Sequence, residues 1–173
     1  MRDVSRGDPG GRLPPPGDPR LAYPRTLCFI ENSGDLLLLK GAPNKRLWPN
    51  QYNGVGGHVE PGEDVLTSLR REVREETGLA IEAPVLRAVI TAEEPQKPGV
   101  VVFVFTATSP TRQVKASAEG TLQWVPQGWP LSLDLVDDLR LLLPRLFALP
   151  PGQVLFAHYV YDSKGRVTIT FAN

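Results

Sequence analysis

GHVEPGEDVLTSLRREVREETGL, from Gly57 to Leu79, is the stretch around which the rest of the chain is read. Three acids, Glu72, Glu75 and Glu76, fall within about one helical turn. Spacings of three and four make Glu72 a surface neighbour of both others. Like charges so placed repel by roughly 0.2–0.5 kcal/mol per pair on an exposed helix. Two arrangements would offset this. Arg70, Arg71 and Arg74 can pair with the acids as a solvated face, or a divalent cation such as Mg²⁺ can take their oxygens. Composition alone leaves both open.

The helix carries its own punctuation. Asp64 can cap its start after the turn-forming Pro61-Gly62. Leu66, Leu69 and Val73 form an apolar stripe, which places the acids on the face away from the core. Gly78 stands where a left-handed residue would end the helix. Upstream, Asn53-Gly54-Val55-Gly56-Gly57 is a glycine-rich approach that lets the main chain come close to a ligand or metal.

The segment resembles the Nudix box, G-x5-E-x7-R-E-U-x-E-E-x-G-U with U apolar, at every fixed position. Gly57, Glu63, Arg71, Glu72, Val73, Glu75, Glu76, Gly78 and Leu79 fill them. The resemblance implies an α/β/α sandwich, a mixed β-sheet flanked by helices with the box helix beside the sheet. It also implies hydrolysis of a nucleoside diphosphate linked to another moiety, dependent on Mg²⁺ or Mn²⁺. By resemblance Glu72, Glu75 and Glu76 are the catalytic acids and metal ligands, with the Gly56 carbonyl as a further ligand. Glu63 and Arg71 look structural, steadying the loop and the carboxylates through ion pairs. Fold and box leave the substrate open.

A second, looser resemblance covers most of residues 24–173, to the branch that includes MutT-like and animal-type 8-oxo-dGTP diphosphatases. It implies that Asn53 contacts the base, that Glu119, five residues before Trp124, adds a metal ligand, and that Asp137-Asp138 read the purine edge. It also implies that Thr26 lines the pocket. Val55, Gly57 and His58 are candidate substrate contacts in the same loop. The bland alternatives are a turn residue for Asn53, a loop acid for Glu119 and helix-end electrostatics for the aspartates. One departure is clear. Animal members carry Trp-Pro before the aspartate pair, where this chain has Leu135-Val136. Stacking would then fall to Trp129, Tyr52 or Trp48.

Length and composition suit this reading. One hundred and seventy-three residues make one domain, with 41% hydrophobic and 22% charged residues. A net charge of zero gives no basic field for duplex nucleic acid. The single cysteine, Cys28, sits in an apolar run and reads as a buried thiol. No apolar run is long enough for a membrane helix, and no leader is evident, so the expectation is a cytoplasmic protein with a small-molecule nucleotide as partner. The oligomeric state stays open. Residues 1–20, rich in Pro, Gly and Arg, read as a loosely attached tail, and 21–173 as the Nudix domain.

In order, the chain predicts a hairpin from Thr26–Ile30 and Leu36–Lys40, a polar loop over 41–52, and an extended run over 79–93 interrupted at Pro84. Val100–Thr108 is predicted to be a central strand buried on both faces. A strand ends at Pro126, and a helix over Leu135–Phe147 is kinked or split by Pro144. A terminal hairpin turns at 162–165.

The expectation is a Mg²⁺-dependent hydrolase of a purine or oxidised-purine nucleoside triphosphate. The alternatives are a hydrolase of nucleotide sugars or dinucleoside polyphosphates, and a binding module without turnover. The intact carboxylates count against the last.

Overall fold

β1 (Ala22–Asn32) and β2 (Asp35–Gly41) meet at a two-residue turn in which Ser33 and Gly34 have φ of 52° and 84°. Two successive positive φ values match the twist of a tight hairpin. The chain is described from a computed structural model covering residues 21–95, 97–128 and 132–172. The expected tail and Trp129 lie outside the described residues. After β2 come β3 (Tyr52–Asn53), α1 (Val65–Thr77), β4 (Glu82–Glu93), β5 (Gly99–Thr108) and β6 (Gly120–Pro126). α2 (Leu139–Ala148), β7 (Leu155–Tyr161) and β8 (Val167–Phe171) complete the chain.

All eight strands join one mixed sheet, in the order β3-β2-β1-β5-β4-β7-β8, with β6 on the other edge of β2. β1–β5 and β4–β7 are parallel; the remaining pairs are antiparallel. Period-two alternation sorts the side chains to two cores. Cys28 and Ile30 of β1 pack with Leu69 and Val73 of α1, whereas Phe29 packs with Leu139, Leu142, Leu143 and Leu146 of α2. A helix therefore covers each face, and the α/β/α sandwich is the observed fold. Among the described residues no helix is long and apolar enough to cross a membrane.

One irregularity positions the site. β1 and β2 pair only from Asn32–Asp35 to Ile30–Leu37. Beyond Leu37 they diverge, and residues 52–58 fill the gap. Tyr52 and Asn53 pair with Lys40 and Leu39 of β2, while Val55 and His58 bridge to Cys28 and Arg25 of β1. The glycine run is thus a wedge between two strands.

Three expectations are corrected. Val104, Phe105 and Ala107 of β5 are buried, but Val100–Phe103 are only half-buried. On that part of the α1-side face the neighbouring Phe156 is exposed, so no described helix lies over it. The second helix begins at Leu139, not Leu135, because Leu135 instead bridges to Tyr52 as an extended residue. Pro144 lies inside α2 without splitting it. Four leucines buried on both sides of the proline hold the helix against the sheet.

Candidate active site

α1 is fastened at both ends as its sequence implies. The Asp64 carboxylate accepts the N–H groups of Leu66 and Thr67 at 2.8 and 3.0 Å. At the far end Gly78 adopts φ 79° and donates its N–H to the Arg74 carbonyl. Its buried face differs from the expected stripe. Ser68, Leu69, Val73 and Thr77 are buried, while Leu66 is exposed. The row Ser68–Glu72–Glu76, at spacing four, runs beside the core row Leu69–Val73–Thr77. The acids therefore do not all face away from the core. Glu72 and Glu76 flank it under the glycine wedge, and only Glu75 is exposed.

The wedge and the acids fit closely. Gly56 donates its N–H to the Glu76 carboxylate at 3.3 Å. With φ of 154° and the Thr26 carbonyl where a Cβ would sit, Gly56 admits no side chain. A Cβ at Gly57 would overlap the Glu72 carboxylate. The carbonyls of Val55 and Gly57 accept from Cys28 and Thr26 of β1. Alternation along the extended chain turns the intervening Gly56 carbonyl away from β1, to the side of its own N–H and Glu76.

Arg71 gathers the remaining charge. Its guanidinium grips Glu63 through Nη2 at 2.6 Å and Nε at 3.1 Å. Nη1 reaches Glu72 at 3.0 Å and Glu75 at 3.3 Å, and Nη2 also donates to the His58 carbonyl at 3.1 Å. The hydrogen bonds from Arg71, followed by the Glu60 N–H, hold the Glu63 carboxyl down to about 2. Glu76 goes the other way. Burial raises it to about 7; the Gly56 N–H offsets part of this, and the charges of Glu72 and Glu119 add to it. Lys45 lies 2.5 Å from Glu119 and only partly relieves Glu76.

A divalent cation suits this donor set. The groups are hard oxygens, the main chain is cleared of Cβ atoms where it meets them, and Glu76 stands in an excess of negative charge. Among the described residues no three acids, histidines or cysteines converge as a ready cluster. Arg71 and Lys45 instead occupy Glu72, Glu75 and Glu119, spreading the carboxylates over two cationic partners.

The other expected contacts divide between the two faces. Thr26 is registered with Phe103 and lies on the α1-side face of the sheet; its hydroxyl is buried without a hydrogen-bond partner. Asn53 pairs with Leu39, which shares the face of Leu37, so it also belongs to the α1 side. Its side-chain oxygen accepts the Gly54 N–H at 2.8 Å. Asp137 and Asp138 lie at the start of α2, on the opposite face. Asp138 makes no side-chain cap bond, and burial, with Asp137 nearby, raises it to about 6.

Two further candidates meet their neighbours through the main chain. Val55 is fully buried and exchanges both backbone hydrogen bonds with Cys28. His58 acts through its carbonyl, which accepts from Ser68 and Arg71, while its ring is exposed. Leu135 and Val136 are core residues and offer no stacking surface. Tyr52 gives its hydroxyl to Gln123 at 2.8 Å. Sequence reasoning passed over Ser68, whose place four residues before Glu72 was the available signal, and the Lys45–Glu119 pair, which carries no local signal.

A model of the NUDIX domain matches residues 23–146, and the chain belongs to that family. Among curated proteins it is similar to the nucleoside triphosphatase NudI of Salmonella schwarzengrund, 53% identical over 50 residues. That match spans 29% of this chain and 36%, about a third, of the relative's length. NudI of an Enterobacter species is 29% identical over 124 residues, covering 65% of this chain and 88% of the relative. Among solved structures, a MutT protein from Bacillus halodurans superposes with a TM-score of 0.74. It is 22% identical and covers 86% of this chain and 97% of that one, a likeness of fold. A MutT protein from Methanosarcina mazei Go1 has a TM-score of 0.64 at 26% identity, covering 74% of this chain and 94% of that one.

Proposed function

We propose that this chain is a Mg²⁺- or Mn²⁺-dependent Nudix hydrolase that cleaves a nucleoside triphosphate to monophosphate and pyrophosphate. The first substrate class is a purine or oxidised-purine deoxynucleotide of the 8-oxo-dGTP kind. The observation that carries the reading is the row of Glu72 and Glu76 beneath Gly56-Gly57, with Glu76 raised to about 7 by its surroundings. Family membership and the similarity to nucleoside triphosphatases support the same class of chemistry.

In this reading Glu72, Glu75, Glu76, Glu119 and the Gly56 carbonyl would hold the ion. The ion would supply charge neutralisation and polarisation at the phosphates, and activation of water. The chain's own residues do the positioning. Glu63 keeps Arg71 extended along α1, and Arg71 in turn fixes Glu72 and Glu75. The glycine wedge lets a pyrophosphate approach the main chain. Lys45, on the loop over Glu119, is placed to turn to phosphate once that acid is engaged elsewhere.

One observation favours a second reading within the class. With Leu135 and Val136 buried in the core, the base has no aromatic stacking partner at that position. A hydrolase of nucleotide sugars or dinucleoside polyphosphates needs less of the base.

Pyrophosphate and phosphate release from canonical and 8-oxo nucleoside triphosphates, nucleotide sugars and dinucleoside polyphosphates tests both. Release should require Mg²⁺, stop with chelator, and vanish in Glu76→Gln. Activity confined to sugars or dinucleotides selects the second reading; no activity on any of them overturns both.

A further inference from the structure

We propose that β8 is a dimerisation edge: two copies of this chain pair their Val167–Phe171 strands antiparallel, about a two-fold axis at Ile169, and join their sheets into one. The surface lies at the other end of the sheet from the glycine wedge, and the inference does not depend on the hydrolase reading.

β8 ends the sheet and pairs only with β7. The Ala172 N–H donates to the Phe156 carbonyl, and the Asp162 N–H to the Arg166 carbonyl, both at 2.9 Å. In an antiparallel ladder such pairs fall on every second residue. The even-numbered residues of β8 therefore turn their backbone groups to β7, and Val167, Ile169 and Phe171 turn theirs outward. No described residue hydrogen-bonds to those outward groups.

The chain closes its other edge and leaves this one open. At β6, Ser117 bridges to Gly120, and the Trp124 indole donates to the Arg112 carbonyl at 3.1 Å. The Arg112 guanidinium lies over that indole, 5.1 Å from the ring centroid, and the strand ends in Pro126. β8 reads VTITF, without proline, glycine or charge, and its register with β7 is unbroken from Ala157–Phe171 to Tyr161–Val167. Folded chains usually blunt an edge with charge, proline or a bulge, because a bare one pairs with any strand that matches it.

The strand that matches it best is its own copy. With the axis at Ile169, each Ile169 meets Ile169 of the second copy, and Val167 meets its Phe171. The outward-facing set maps onto itself, so every outward N–H finds an outward carbonyl. Half-buried Val167, Ile169 and Phe171 then cover one another on the α2 side, as β-branched and aromatic cross-strand pairs. On the α1 side Thr168 meets Thr170 of the copy. Charge does not oppose the pairing. Arg145 sits over the Phe171 ring at 4.3 Å, and because Phe171 meets Val167 of the copy, the two guanidiniums stand at opposite ends of the pair.

Pairing consumes both β8 edges, and β6 is guarded, so growth stops at two copies. An edge of five residues is short. Its buried area falls at the low end for specific pairs, about 1,200 Å² in total or less, so the dimer is weak and reversible, with a Kd on the order of 10–100 µM.

Sedimentation velocity of the full chain from about 5 to about 500 µM tests this, beside two double variants. Thr168 and Thr170 are exposed, so both variants should fold with the wild-type Tm. Thr168→Lys with Thr170→Lys sets like charges against each other across the axis, and should weaken the dimer by about tenfold or more. Thr168→Lys with Thr170→Glu sets opposite charges in that register, and should dimerise at least as well as the wild type. Amide exchange followed by NMR gives a readout free of mutation. Val167, Ile169 and Phe171 should gain protection with concentration, while Thr168 and Thr170 are protected throughout. A wild type that stays monomeric would overturn the proposal, as would a dimer indifferent to the lysines or one weakened equally by both variants. If the variants lose their fold, the exchange decides: protection at the three outward amides that does not change with concentration sinks the edge pairing.

Discussion

Glu76 concentrates the tension of the site in one side chain. Its carboxyl has a folded value of about 7 against an ordinary 4.5, chiefly because it is buried. A carboxyl raised on folding binds its proton more tightly folded than unfolded, so its contribution to stability falls as pH rises from about 4.5 to about 7. Asp138, raised from 3.8 to about 6, has the same sign over a lower window. Glu63, held down to about 2, contributes the opposite way: its stabilisation is present above 4.5 and is lost only in strong acid. In chelator, the protein should therefore have a lower Tm at pH 8 than at pH 5.5. Glu76→Gln should raise the Tm at pH 8 while changing it little at pH 5.5. An equal fall at both pH values would show that Glu76 is a structural hydrogen-bonding group and not a stored charge. Gly57 makes the matching steric case. Gly57→Ala would drive a methyl into the Glu72 carboxylate, so metal-dependent turnover should fall by more than tenfold while far-ultraviolet dichroism stays native.

At the scale of the element, α1 is a helix whose beginning matters more than its length. Asp64 satisfies two N–H groups at the start of the turn that carries Arg71 and Glu72 two turns on. Asp64→Ala should cost about 1 kcal/mol and lower the Tm by roughly 2–4 °C. Calorimetry checks this, and Asp64→Asn or Asp64→Ser should recover most of the loss. Such features were legible in the sequence because their chemistry is local: Asp64, Gly78 and the 162–165 turn act on residues within a few positions. What escaped was set at a distance. Leu66 matches the apolar period, yet it faces solvent because Ser68, closing on the His58 carbonyl, takes the buried position. Leu135 has helical spacing from Leu139, yet it extends because Tyr52, more than eighty residues earlier, offers a backbone to pair with. Pro144 signals a break that four buried leucines override. The box residues could be named from their order alone. That Thr26 and Asn53 face one side of the sheet and Asp138 the other depends on strand register, which no short motif encodes.

For the whole molecule, the site is a meeting of three segments that the sheet brings together: the wedge at 52–58, α1, and the turn at Glu119 before β6. Each brings negative charge or backbone dipoles to one place, and the chain supplies Arg71 and Lys45 as its own counter-ions. An ion that binds there binds only the folded state, because the three segments are separate in the unfolded chain. It must therefore stabilise the fold by mass action, by about 2.7 kcal/mol at a hundred times its Kd. For a chain of this length that corresponds to a rise in Tm of roughly 5–10 °C. Mg²⁺ at pH 8 should produce this rise, whereas NaCl at equal ionic strength should not. The rise should be lost in Glu76→Gln, which removes a ligand outright. Lys45→Ala should shift the Mg²⁺ dependence to lower concentration, because Lys45 competes for Glu119. A Tm that responds equally to NaCl and MgCl₂ would mean that the acids form a screened surface balanced by arginine and lysine. The carboxylate row would then be the salt-bridged face that its composition alone also allows.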